Sequence, residues 1–129
     1  MRAIMIVLLL LLAAHTAYAR DRIITNDNGG LVRNYISCYE ADHLNGTRVV
    51  INGWCASACT LALLYPKTCV TPKAKLAFHA PSPQTKTEFL MITYPPLVQE
   101  WIDNHGGLTQ KMIVLKGSEL TNIVRGCKS

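Results

Sequence analysis

The residues best equipped for chemistry are a serine and a histidine, Ser57 and His79, each at the end of a short apolar run. Ser57 lies in Gly53-Trp54-Cys55-Ala56-Ser57-Ala58, between the β-branched run Arg48-Val49-Val50-Ile51 and an apolar segment that Pro66 stops. A serine at such a strand-to-helix turn stands at the carboxyl edge of a sheet with its hydroxyl exposed. The helix start beside it offers unpaired N–H groups to a developing oxyanion. The spacing is not G-x-S-x-G, and taken by itself the position is better explained as a helix cap, a common role for serine. His79 shifts that balance. It ends the run Leu76-Ala77-Phe78 and precedes Ala80-Pro81, so it can reach the edge of a neighbouring strand and act as a general base. His43 and His105 sit at predicted helix ends, where the helix dipole favours them. No metal site is expected, because Cys55 and Cys59 lack a second ligand pair at finger-like spacing.

These side chains need elements to position them. Ile23-Ile24-Thr25 is a short β-prone run closed by Asn26-Asp27-Asn28-Gly29-Gly30, a turn able to use positive φ. Leu31, Tyr35, Cys38 and Tyr39 are spaced for one helix face and predict a helix from Leu31 to Asn45. Arg48–Ile51 is the clearest strand, followed by a helix from Ala58 to Tyr65. Thr68–Thr71 and Lys75–His79 are two further strands, and Ala80–Thr87 is an exposed loop. A helix from Pro95 or Pro96 to Asn104 uses proline in its first turn, and Leu108–Leu115 is expected to form another, capped by Thr109. Strands alternating with helices predict an α/β domain whose sheet is at least partly parallel.

The start of the chain has another purpose. Arg2, an apolar run from Ile4 to Ala14 and Ala17-Tyr18-Ala19 have the order of a cleavable signal peptide over residues 1–19. That run is too short for the roughly 20 residues needed to span a bilayer, and no cysteine follows Ala19 to carry a lipid. The expectation is a periplasmic or secreted protein, residues 20–129 forming one domain without a stable membrane anchor. A formal charge of +5 on scattered basic residues, without interleaved aromatics, argues against nucleic-acid binding. Five cysteines, Cys38, Cys55, Cys59, Cys69 and Cys127, suit disulfides in an exported chain, with one left over. Cys59–Cys69 is the leading expectation, Cys55–Cys69 its competitor and Cys38–Cys127 a second bridge.

Three blocks together resemble a known family. Asn26-Asp27-Asn28-Gly29-Gly30, Gly53-Trp54-Cys55-Ala56-Ser57-Ala58 and Leu76-Ala77-Phe78-His79-Ala80-Pro81 follow the order and rough spacing of the Clp protease proteolytic subunit. The likeness is greatest to an exported, cysteine-containing branch of the Clp-protease/crotonase-like superfamily and covers roughly residues 23–125. It implies an α/β fold, a spiral of strand-strand-helix units shortened at the N-terminus. It also implies Ser57 as nucleophile, His79 as base, and an oxyanion hole from the N–H groups of Gly30 (or Gly29) and Ala58. For the acid behind the histidine, Glu119 is the nearest match, in a segment after His105-Gly106-Gly107, which resembles the family's helix end; Asp103 is the alternative.

The expected function is an exported serine hydrolase, a peptidase acting on a peptide or protein substrate without a cofactor. Clp-type relatives form rings, so a homo-oligomer is open, though the resemblance carries assembly contacts onto no particular residue. The alternative is a catalytically inactive periplasmic binding or assembly module on the same scaffold. A crotonase-like acyl-CoA enzyme is a third reading, which needs no Ser–His pair and fits an exported location poorly.

Overall fold

The β-branched run at Arg48 builds a longer strand than its composition predicts, and the sheet assembles around it. In the computed structural model, which describes residues 20–81, 91 and 93–128, this central strand β2 covers Arg48–Ala56. The expected signal peptide, residues 1–19, lies outside the described residues, as does most of the Ala80–Thr87 loop. Strand β1 (Asp21–Asp27) runs parallel to β2 on one side, with Ile24 beside Ile51 and Asp27 beside Cys55. On the other side β2 pairs in parallel first with β3 (Cys69–Val70) and then with β4 (Lys75–Phe78). Strand β5 (Ile113–Lys116) closes the sheet antiparallel to β4, placing Ile113 beside Phe78 and Lys116 beside Lys75. The result is a mixed five-stranded sheet in an α/β chain.

The pairing of β1 with β2 slips between Ile24 and Asn26, where β2 carries one extra residue. Gly53 permits this. Any β-carbon there would fall 2.1 Å from the Thr25 carbonyl oxygen, so two backbones can approach only at a glycine. The bulge lets β2 continue past the predicted end at Ile51 and deliver Cys55, Ala56 and Ser57 to the sheet edge.

The helices supply the cover. Helix α1 (Val32–Leu44) lies within the predicted Leu31–Asn45 span, and the 3-10 helix Ser57–Leu64 replaces the expected α-helix. Helix α2 spans Pro96–Asn104, with proline in its first turn as predicted. Leu76, Ala77 and Phe78 are all buried, so β4 is covered on both faces, as parallel strands usually are. Phe78 packs against Tyr94 and Trp101, and Ile51, Leu61, Ile102, Leu115 and Leu120 complete the same core. Of the predicted face, Tyr39 on α1 is buried, but Cys38 and Leu31, which precedes the helix, are exposed. The inner face instead takes Asp42, whose buried carboxylate accepts two hydrogen bonds from the Arg22 guanidinium of β1. An ion pair thus fixes this helix to the edge strand where periodicity predicted an apolar stripe. No helix among the described residues is long and apolar enough to cross a membrane.

Two expectations are corrected. Leu108–Leu115 is not a helix: after Gly106 and Gly107, both at positive φ, the chain stays irregular until β5. Ile113, Val114 and Leu115 gain a partner strand in β4, and the helix forms later as α3 (Gly117–Ile123). The disulfides also differ. Cys55 bridges Cys59, Cys69 bridges Cys127, and Cys38 remains an exposed thiol. Register explains why neither Cys59–Cys69 nor Cys55–Cys69 forms. Cys69 pairs with Val50, which is five residues along β2 from Cys55, or about 16 Å of strand. A bridge needs its Cα atoms within about 7 Å. Cys127 instead arrives with the C-terminal tail, which pairs with β3 through Val70 N–H to Arg125 O at 2.9 Å and Cys127 N–H to Val70 O at 3.0 Å.

The Cys69–Cys127 bridge closes a loop of 58 residues. Loop-closure entropy for that length is worth about 4 kcal/mol at 25 °C. Cys69→Ala/Cys127→Ala is therefore expected to lower unfolding stability by about 4 kcal/mol, measured by urea denaturation. A loss below about 1 kcal/mol would show that the tail's hydrogen bonds hold it without the bridge.

Candidate active site

Three neighbouring parallel strands end at one edge of the sheet, and each releases a segment with chemical potential. Strand β1 ends at Asp27 and opens into Asn28-Gly29-Gly30; β2 ends at Ala56 and turns at Ser57; β4 ends at Phe78 and leads into His79. Asp27 pairs with Cys55, and Ala56 with Ala77. Counted from the Ala56–Ala77 pair, Ser57 therefore lies one residue further along and His79 two. In a parallel sheet these ends fall on the same side, the edge where α/β proteins bind ligands.

Ser57 has φ 56°, and it is the one non-glycine residue with positive φ among those described. Side chains resist this left-handed region; holding one there costs about 1–3 kcal/mol. Its neighbours show what holds it. Cys55, the penultimate residue of β2, is bonded to Cys59 in the first turn of the 3-10 helix, so the bridge brackets Ser57 by two residues on each side. The bridged Cα atoms are 5.4 Å apart. Four residues of extended chain would span about 13 Å, so the strand must turn sharply between the cysteines. Thr60 adds a second restraint: its hydroxyl donates to the Ser57 carbonyl at 2.7 Å. Having one hydrogen, Thr60 must then accept from the Tyr94 hydroxyl, also at 2.7 Å. Burial pushes the Tyr94 phenol up to about 12, which keeps that donor protonated. Closing a ring this short by a disulfide is worth about 2 kcal/mol, the same scale as the strain at Ser57.

The glycine loop presses directly on this turn. A β-carbon on Gly29 would stand 2.6 Å from the Ala56 oxygen, 2.8 Å from the Ser57 β-carbon and 2.9 Å from the Ala58 nitrogen. Gly29 also has φ 81°, so both its conformation and its surroundings demand glycine. Asp27 shapes the loop: one carboxylate oxygen accepts the Gly29 N–H at 2.8 Å and the Tyr35 hydroxyl at 2.7 Å. The Trp54 indole donates to the Asn28 side-chain oxygen at 2.9 Å, tying the loop to β2. Burial and the Asp27 carboxylate push the Tyr35 phenol up to about 12, so it remains a donor.

This geometry divides the two glycines. The Gly29 N–H is occupied by Asp27, and it is Gly29 that lies against the Ala58 nitrogen, whereas Gly30 is exposed and has the Tyr35 ring as its near neighbour. Asp27 and Tyr35 were not anticipated from sequence. The signal was an aspartate two residues before a glycine, the pattern of a side chain closing a turn on its own backbone.

His79 is half-buried, and its Nδ1 lies 2.7 Å from the Ala80 carbonyl oxygen. A carbonyl can only accept, so Nδ1 carries the proton and Nε2 of the neutral ring keeps a lone pair. That is the tautomer a base requires. Glu119 is elsewhere engaged: its carboxylate accepts from the Trp101 indole at 3.4 Å. Since β5 runs antiparallel to β4, α3 and Glu119 start beside Lys75, the end of β4 opposite His79. Asp103 is exposed near the end of α2. Among the described residues, no group of three or more His, Cys, Asp or Glu could hold a metal ion.

No protein-family model matches the chain, and no curated protein matches it.

The strained turn generates a stability prediction. Ser57→Gly should raise unfolding stability by about 1 kcal/mol, since glycine adopts positive φ without steric cost. Thermal or urea denaturation measures it, and an unchanged or lowered stability would mean that Ser57 bears no strain.

Proposed function

We propose that this chain is an exported serine hydrolase in which Ser57 attacks an acyl carbonyl, His79 takes its proton, and Gly30 and Ala58 hold the oxyanion. The observation that carries this reading is the close contact between the Gly29 loop and the left-handed Ser57 turn. Nucleophilic serines are presented on sharp, strained strand-to-helix turns, with backbone donors beside them. Strain of this kind concentrates at functional sites. A helix cap needs neither positive φ nor a second loop against it.

The chemistry follows in order. Serine is a weak nucleophile until a base accepts its proton, and with Nδ1–H directed at the Ala80 carbonyl, Nε2 is the His79 atom for that role. As Ser57 Oγ bonds to the carbonyl carbon, negative charge moves onto the carbonyl oxygen. Two N–H donors there are worth about 2.7–4 kcal/mol each in the transition state. The Ala80 carbonyl takes the orienting position that Glu119 would hold in a Ser-His-acid triad. A neutral oxygen fixes the tautomer but stabilises the imidazolium less than a carboxylate does, so slow turnover is expected.

The finer parts of the reading rest on sequence. The Clp-protease/crotonase-like architecture, and a peptide as the acyl donor, follow from the three-block resemblance. Export follows from residues 1–19, and two disulfides accord with an oxidising compartment. A binding or assembly module on the same scaffold is favoured by two observations among the described residues: no carboxylate bonds the His79 ring, and no hydrogen bond joins Ser57 to His79.

A fluorophosphonate probe tests the assignment. The wild-type chain should be labelled, Ser57→Ala should not, and His79→Ala should slow labelling by about 10²–10⁴-fold. Labelling that survives in Ser57→Ala, or an unlabelled wild type, would leave the binding-module reading in its place.

A further inference from the structure

We propose that the Cys55–Cys59 disulfide is a positioning element for Ser57, making the serine reactive only in the oxidised chain. This inference rests on the hydrolase reading above and adds a condition for it. The bridge starts at the end of β2, crosses the turn and finishes in the 3-10 helix, with Ala56, Ser57 and Ala58 between its anchors. Those three residues hold the nucleophile and one oxyanion donor. No other covalent restraint touches the turn, and the Thr60 hydrogen bond acts on the Ser57 carbonyl alone.

With the thiols reduced, the left-handed conformation loses its main support. A typical hydrogen bond contributes about 1 kcal/mol, against about 1–3 kcal/mol for the strain. The turn then relaxes toward negative φ, which swings the hydroxyl and the Ala58 N–H away from the Gly29 loop. Misplacement of a reacting group by about 1 Å can cost 10²-fold in rate.

The chemical step is oxidation of two thiols. Cys55 and Cys59 form one S–S bond by thiol–disulfide exchange, giving up two protons and two electrons to a disulfide such as glutathione disulfide, which becomes two thiols. Both cysteines are fully buried in the folded chain. The bridge is therefore formed during folding and shielded from reductants afterwards, so it acts once rather than as a reversible signal. A chain held in a reducing compartment stays silent, and activity begins after oxidation. The other bridge, Cys69–Cys127, joins β3 to the tail at the far end of β2 and has no part in the turn.

The test compares fluorophosphonate labelling rates of wild type, Cys55→Ala/Cys59→Ala and Cys69→Ala/Cys127→Ala, each corrected for the folded fraction by circular dichroism. Cys55→Ala/Cys59→Ala should label about 100-fold more slowly, and Cys69→Ala/Cys127→Ala at the wild-type rate. Labelling of Cys55→Ala/Cys59→Ala within about threefold of wild type overturns the inference but leaves the hydrolase reading intact. An unlabelled oxidised wild type overturns both. A second readout is independent of activity: Ser57→Gly should raise the melting temperature of the bridged chain but not of Cys55→Ala/Cys59→Ala, and an equal rise in both contradicts the proposal. Should Cys55→Ala/Cys59→Ala not fold, reduced wild type is reoxidised with glutathione disulfide and its bridges mapped by mass spectrometry. Labelling should then appear with Cys55–Cys59; labelling that appears while this pair is still open overturns the inference.

Discussion

The structure depends on one backbone constraint: a serine held in left-handed geometry where three parallel strands end together. Everything nearby serves that turn. The bulge at Gly53 carries β2 far enough to reach it, the Cys55–Cys59 bridge bends the chain through it, and Gly29 admits the adjacent loop against it. The parallel pairing of β2 with both β1 and β4 brings the glycine loop and His79 to the same edge. Without parallel register, the three segments would leave the sheet at different ends.

Two of the stabilising links lie away from that edge. Arg22 and Asp42 join β1 to α1, and Cys69–Cys127 joins β3 to the tail. Phe78, the last residue of β4, packs against Tyr94 and Trp101. Tyr94 links this packing to the site, because its hydroxyl satisfies Thr60, which in turn holds the Ser57 carbonyl. A core tyrosine thereby supports the strained residue through two hydrogen bonds, and its raised titration keeps the donor in place.

Local pattern made the elements with strong periodicity or clear breakers legible: the Arg48 strand, the Pro96 helix, and the strands around Val70 and Leu76. It could not reveal what depends on pairing between distant segments. Ile113-Val114-Leu115 is a strand because β4 lies beside it, and an apolar run of that length fits a helix equally well. The expected Cys59–Cys69 bridge is replaced because Cys59 closes on Cys55 across the sharp turn at Ser57, while Cys69 lies far back along the sheet. Cys69 lies beside Val50 and meets a cysteine 58 residues away. At the site, the types and order of Ser57, His79 and the glycine pair were visible, but the conformation of Ser57 and the roles of Asp27 and Tyr35 were not. Glu119 is the nearest acid after His105-Gly106-Gly107, but the antiparallel return of β5 sends it toward Trp101.

A crystal structure of the oxidised chain after reaction with a fluorophosphonate tests the central claim most directly. Phosphorus is expected on Ser57 Oγ, with the phosphoryl oxygen about 2.7–3.1 Å from the backbone nitrogens of Gly30 and Ala58. Phosphorus on any other residue, or a phosphoryl oxygen turned to solvent away from both nitrogens, contradicts it.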